Sequence, residues 1–185
     1  MATEIARESE VSLIIQRIKP VLPAFLMALS AFLVQVPFAL RGFDLHHNGL
    51  MLAQALALNE GKDIHSDVFS QYGPLTTWVQ SVMLLLPAPP ALLLKFWTAA
   101  TVSLTVFFVA DLGRFGQNVI GLSRWGSGAV ATGWLFSAPF FSQGTPLAWS
   151  SLLGSFLMAL STYLFVWSLA NLRAHPTAHR FAVFF

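Results

Sequence analysis

Pro20 to Leu40 is an unbroken apolar run, PVLPAFLMALSAFLVQVPFAL, in which Gln35 is the only strongly polar side chain. As a helix, rising 1.5 Å per residue, it covers about 30 Å, the thickness of a bilayer's hydrocarbon core. Similar runs recur at 91–111, 126–143 and 150–170. Inside a bilayer such segments must satisfy their own backbone polar groups, which at these lengths means helices. The sequence therefore predicts an all-α integral membrane protein with about four transmembrane helices. Charge agrees: 10% of the residues are charged, against about 25% in a soluble domain. The basic pI of 9.4 is no nucleic-acid signal, because the net charge is only +2 and no basic cluster interleaves with aromatics. The chain has no cysteine, which excludes disulfides, thiolate metal sites and a cysteine nucleophile.

The polar residues concentrate in one stretch, Asp44 to Pro74. It holds Asp44, His46, His47, Asn48, Glu60, Lys62, Asp63, His65 and Asp67, with four of the eight acids and three of the five histidines of the chain. Asn48 is placed to cap a helix over 49–60, and Gly61 to end it in a left-handed conformation. A second short helix is predicted over 75–86, opened by Pro74 and stopped by Pro87-Ala88-Pro89-Pro90. Both are too short to cross a bilayer, so they are read as juxtamembrane helices in a large first loop, 42–90, with Trp78 at the interface. Lys95, one turn into the next span, is expected to snorkel to the surface.

The remaining segments frame that loop. Residues 1–19 read as an interfacial segment, 20–171 as the transmembrane module, 112–127 as a connecting loop and 172–185 as a tail. The chain stops at RFAVFF, inside a new apolar run, so a truncated N-terminal piece of a longer protein is expected. Pro37 and Pro139 are expected to bend or end their helices. Gln35 is expected to hydrogen-bond within the bundle, and Asp111 and Arg114 to pair at a helix end, i to i+3. If 75–86 does not span, Arg7, Arg17, Lys19, Arg114, Arg124, Arg173 and Arg180 share one side, leaving Arg41, Lys62 and Lys95 on the other. The positive-inside tendency then puts both ends in the cytoplasm and the 42–90 loop outside, in a multi-pass protein of the cell membrane.

An acid after the first span, a short helix, then GKDIHSDVFSQYGPL, a second short helix and a second span form an ordered series. It resembles the N-terminal part of the GT-C type membrane glycosyltransferases, which include protein O-mannosyltransferases and lipid A aminoarabinose transferases. The family pattern of Gly, Tyr, Asp and Pro-Pro-Leu is echoed by Gly61, His65, Asp67, Pro74 and Leu75, with His65 in place of the tyrosine and Gly73 in place of the first proline. The usual acidic pair after the first span is here the single Asp44. The resemblance covers about residues 20–170. It implies a cell-envelope enzyme that, at full length, transfers a sugar from a polyprenyl-phosphate donor at the outer membrane face, the 185-residue chain alone being expected to be inactive. Asp44 would be the catalytic base, with His46, His47, Asn48, Asp67 and Tyr72 contacting substrate. No cofactor is implied, and a divalent metal stays open.

Each of these residues has a plainer reading. Asp44 can be a helix cap or a solvated anion, and Asp67 a turn residue. His46 and His47 face about 100° apart on a helix, poorly placed to share one metal, and read by default as a solvated interfacial pair. Tyr72 and Trp78 suit the membrane interface. Two other functions compete: a non-catalytic membrane subunit that binds or assembles lipid-linked glycans, and a metal-binding membrane protein built on the histidines. The bilayer and a lipid-linked sugar are the expected partners, nucleic acid is not, and the oligomeric state stays open.

Overall fold

A computed structural model of the chain describes residues 18–40, 46–64, 66–68, 70, 73–137 and 150–174. Among these, the regular structure is helical: α1 Leu22–Leu40, α2 His47–Asn59, α3 Pro74–Met83, α4 Pro90–Ile120, α5 Arg124–Ser137 and α6 Ser150–Ala174. Prolines and glycines set several of the boundaries. Pro74 and Pro90 occupy the first turns of α3 and α4, where no intrahelical donor is lost. Gly61 adopts φ 82°, Gly61 N–H donates to Leu58 O at 3.0 Å and Lys62 N–H to Ala57 O at 3.1 Å. Those two bonds close α2 in the left-handed manner its sequence predicts. Pro37 does not end α1, which continues to Leu40. The neighbourhood of Pro139 and the segments 1–17 and 175–185 lie outside the described residues.

α4 is the hub, packing on α1, α5 and α6, while α2 packs on α3 and touches α4. Its contact with α1 is made by small residues. Ala24 and Ala31 of α1 meet Val102, Val106 and Ala110 of α4 in a cluster completed by Ala131 and Leu152. Small side chains let helix backbones approach, the usual basis of helix association in lipid. The hydroxyls of Thr98, Thr101, Ser103 and Thr105 each donate to the carbonyl four residues back in α4. A polar group satisfied within its own helix can be buried without a partner elsewhere. Gln35 of α1 is not satisfied in this way. It is 1% exposed, but neither its amide oxygen nor its nitrogen has a partner, contrary to the expectation of a bond within the bundle.

The 112–127 loop expected from its glycines is mostly helix. α4 runs on to Ile120, for 31 residues in all, about 46 Å of rise. Only Gly121 to Ser123 separate it from α5. A glycine inside a helix costs about 1 kcal/mol relative to alanine, and Gly113 offsets that cost by admitting α5. A Cβ there would lie 2.7 Å from Arg124 Cα and 2.8 Å from Ser123 O. Ser127 Oγ then donates to Ala110 O at 2.9 Å across the contact.

The predicted Asp111–Arg114 pair forms, with Arg114 Nη2 donating to Asp111 Oδ2 at 2.7 Å. Tyr163 of α6 joins it, its hydroxyl donating to Asp111 Oδ2 at 2.9 Å and accepting from Arg114 Nη2 at 3.0 Å. This polar tie binds α6 to the hub where Phe108 and Phe115 flank the Tyr163 ring.

Two helices, over Pro90–Gln117 and Ser151–Leu172, are long and apolar enough to cross a membrane. The second is only 11% buried, whereas the core helix of a soluble protein is covered on its apolar side. Met158, Leu164, Phe165 and Trp167 face outwards along it, an apolar surface of the kind that lipid covers.

Candidate functional site

The loop between α1 and α4 is built from α2, α3 and a short closed turn. In that turn the backbone N–H groups of Asp67 and Val68 both donate to Asp63 O at 3.1 Å. Asp67 Oδ2 accepts the N–H of Asp63 at 3.1 Å. Asp63 and Asp67 are exposed while Val68 is buried, so the turn is pinned by Val68 and shaped by Asp67. Asp67 thus takes the turn role foreseen as its plainer reading. Ser70 and Thr77 share a hydroxyl hydrogen bond of 3.0 Å at the start of α3. Asn59 Nδ2 donates to Ser81 O at 3.1 Å and ties α2 to α3.

α3 is amphipathic in the inverted sense. Thr76, Thr77, Gln80 and Ser81 are buried, while Leu75, Trp78 and Val82 are exposed. The exposed Leu85 and Leu86 extend that apolar side beyond the helix. α2 buries Asn48 and Gln54, and the first turns of α4 bury Lys95 and Thr98. Met51 of α2 packs on Leu94 of α4, with Met83 and Trp97 beside them. Next to Leu94, Lys95 is 7% exposed, so it is buried where snorkelling to the surface was expected. α3 therefore turns hydroxyl and amide groups inwards and leucine, valine and tryptophan outwards, and buried Asn48, Gln54, Lys95 and Thr98 of its neighbours lie beside an apolar Met51–Leu94 contact. Water rewards the opposite arrangement.

Of the predicted site residues, the structure brings His46, His47 and Asn48 together on the first turn of α2. The two histidine rings meet edge to face with centroids 4.9 Å apart. Asn48 is not the cap. The helix begins at His47, His46 occupies the capping position without a side-chain capping bond, and Asn48 turns inwards at 2% exposure. Its Nδ2 is buried without a partner, a donor left for a further acceptor. Asp44, His65 and Tyr72 lie outside the described residues. Among the described residues no three of His, Asp and Glu converge as metal ligands would.

The buried residues Gln54, Thr76, Thr77, Gln80, Ser81, Lys95 and Thr98 were not singled out as site residues from the sequence. A signal was present in the pairs 76/77 and 80/81, four apart on one face of a short helix.

No family model, curated protein or solved structure matches the chain.

Proposed function

We propose that four helices of this chain (α1, α4, α5 and α6) cross the cell membrane, with both ends cytoplasmic. The 42–90 loop then binds a polyprenyl-phosphate-linked sugar at the outer face. The observation that carries this reading is the inverted α3, which packs on α2 with its polar residues buried and its leucine, valine and tryptophan outwards. Such a unit is suited to a polar headgroup presented from a lipid leaflet. The resemblance of GKDIHSDVFSQYGPL to the GT-C pattern supports the sugar donor in particular, and the distribution of Lys and Arg supports the orientation.

Asp44 acts as base in this reading. It accepts the proton of an acceptor hydroxyl while that oxygen bonds to the anomeric carbon of the donor. The bond from that carbon to the phosphate oxygen breaks, and polyprenyl phosphate leaves with the electron pair. Asn48 Nδ2, Lys95 and the imidazoles of His46 and His47 are the donors that stabilise charge building on the phosphate. Asp67 acts on the shape of the loop, with Tyr72 beside the substrate.

A photoactivatable polyprenyl phosphate bearing a hexose, added to membranes containing the full chain, tests the assignment. Crosslinks are expected within residues 42–98 and are expected to disappear when unlabelled donor is added in excess. Crosslinks confined to α5 or α6, or insensitive to competitor, would contradict it.

A further inference from the structure

The other end of the bundle carries a second, differently built recess. An apolar groove of about 310 Å³ runs between α1, α4 and α5, lined by residues that include Leu26, Met27, Ser30, Val34, Val106 and Thr132. A smaller cavity of about 50 Å³ lies against it, lined by Met27 and Gly128 together with Asp111, Arg114 and Arg124. Met27 is a wall of both. Going from groove to cavity moves towards the start of α1, the end of α4 and the start of α5. The two spaces are neighbours across the Met27 side chain, the larger one apolar and the smaller one cationic.

The charge at that end is not balanced. Asp111 is held by Arg114 and Tyr163, which offsets one guanidinium. Among the described residues no carboxylate pairs with Arg124. Arg114 Nε is buried and has no acceptor, although a buried N–H of this kind ordinarily finds one. The small cavity exceeds the roughly 10–15 Å³ that a single water needs. The groove is open along its side, where Leu26, Val34 and Thr132 are exposed. A ligand that fits has an anionic oxygen group at one end and a hydrocarbon chain that enters sideways from the bilayer.

We infer that these two neighbouring recesses bind one anionic phospholipid, its phosphate against Arg114 and Arg124 and one acyl chain along Leu26, Met27, Val34 and Val106. Basic pockets between membrane helices favour anionic headgroups, and guanidinium groups match phosphate oxygens in geometry as well as charge. The inference rests on the membrane-spanning reading above and is independent of sugar transfer.

Native mass spectrometry of the full chain in detergent, titrated with phosphatidylglycerol, phosphatidylcholine or inorganic phosphate, tests it. One phosphatidylglycerol per chain is expected, bound more tightly than phosphatidylcholine. Arg124 is exposed, so Arg124→Gln leaves the fold in place, and it is expected to weaken phosphatidylglycerol binding about tenfold. Arg124→Lys is expected to retain part of it. Thr132→Trp, which fills the groove, is expected to abolish lipid binding without changing helix content. Equal affinity for the two lipids, or unchanged binding by Arg124→Gln, overturns the inference. Full lipid binding by Thr132→Trp with competition by inorganic phosphate also overturns it, reducing the site to an anion pocket. Crosslinking of the sugar donor to 42–98 is expected to be unaffected by Arg124→Gln, so the failure of either reading is visible apart from the other.

Discussion

Asp44→Asn is expected to slow single-turnover sugar transfer by about 10²- to 10⁴-fold, the usual cost of losing a general base. Insertion and donor binding should stay close to those of the native chain. Asparagine keeps the size and the hydrogen-bonding oxygen of aspartate but cannot take the proton of an acceptor hydroxyl at neutral pH. Asp44 is the first acid after α1, four residues beyond Leu40 and two before His46 at the start of α2. That position is level with a lipid phosphate if α1 spans the membrane. Asp67→Asn is the contrasting case. The carboxylate of Asp67 accepts a backbone N–H in its turn, and an amide oxygen can accept the same bond, so a much smaller loss is expected. The measurement is single-turnover transfer from a lipid-linked sugar, made in an active protein that carries these residues. Equal, small effects of the two substitutions would remove the base assignment and leave Asp44 as a cap or a solvated anion.

Asp111→Ala is expected to be the most damaging substitution for stability, at about 3 kcal/mol. Removing one partner of a buried ion pair leaves the other charge uncompensated, which costs about 3–5 kcal/mol. The lower end applies because the side chain of Asp111 is 1% exposed but that of Arg114 is 25% exposed. The same change removes the acceptor for Tyr163 and so loosens α6 from the hub. Tyr163→Phe keeps the ion pair and loses only the hydroxyl bonds, about 1 kcal/mol. Unfolding of the purified chain in mixed micelles, followed by circular dichroism, gives both values. A loss for Asp111→Ala no larger than that for Tyr163→Phe would mean that the pair carries no stability of its own.

The helices were legible because their ends are written in residues with few conformational options. Pro74 and Pro90 can only open a helix cheaply, and Gly61 ends α2 in a conformation other residues avoid. Gly113 misled for the same reason. It reads as a loop residue, but it lies inside α4 because α5 packs against it. Burial was less legible. Lys95 looks like a snorkelling residue, yet it is buried next to Leu94, whose packing on Met51 is a contact between residues 43 positions apart in sequence. Tyr163 lies within the 150–170 apolar run. Its link to Asp111 spans 52 residues, and no local pattern announces it. In the candidate site, His46, His47 and Asn48 were legible as polar residues beside a helix start. The inverted face of α3 was not, because the polar-in, apolar-out choice depends on what surrounds the helix.

The claim on which the rest depends is that the polar loop and the arginine-rich connections lie on opposite sides of a membrane. Single cysteines at Ser66, Ser123 and Thr177 test it directly, since the native chain has no cysteine to interfere. Ser66 and Ser123 are exposed in the structure. In intact cells an impermeant thiol reagent is expected to label the Ser66→Cys chain, and to label Ser123→Cys and Thr177→Cys only after the membrane is opened. Labelling of Ser123→Cys from outside in intact cells would contradict the four-span arrangement and, with it, the placement of Asp44 at the outer face.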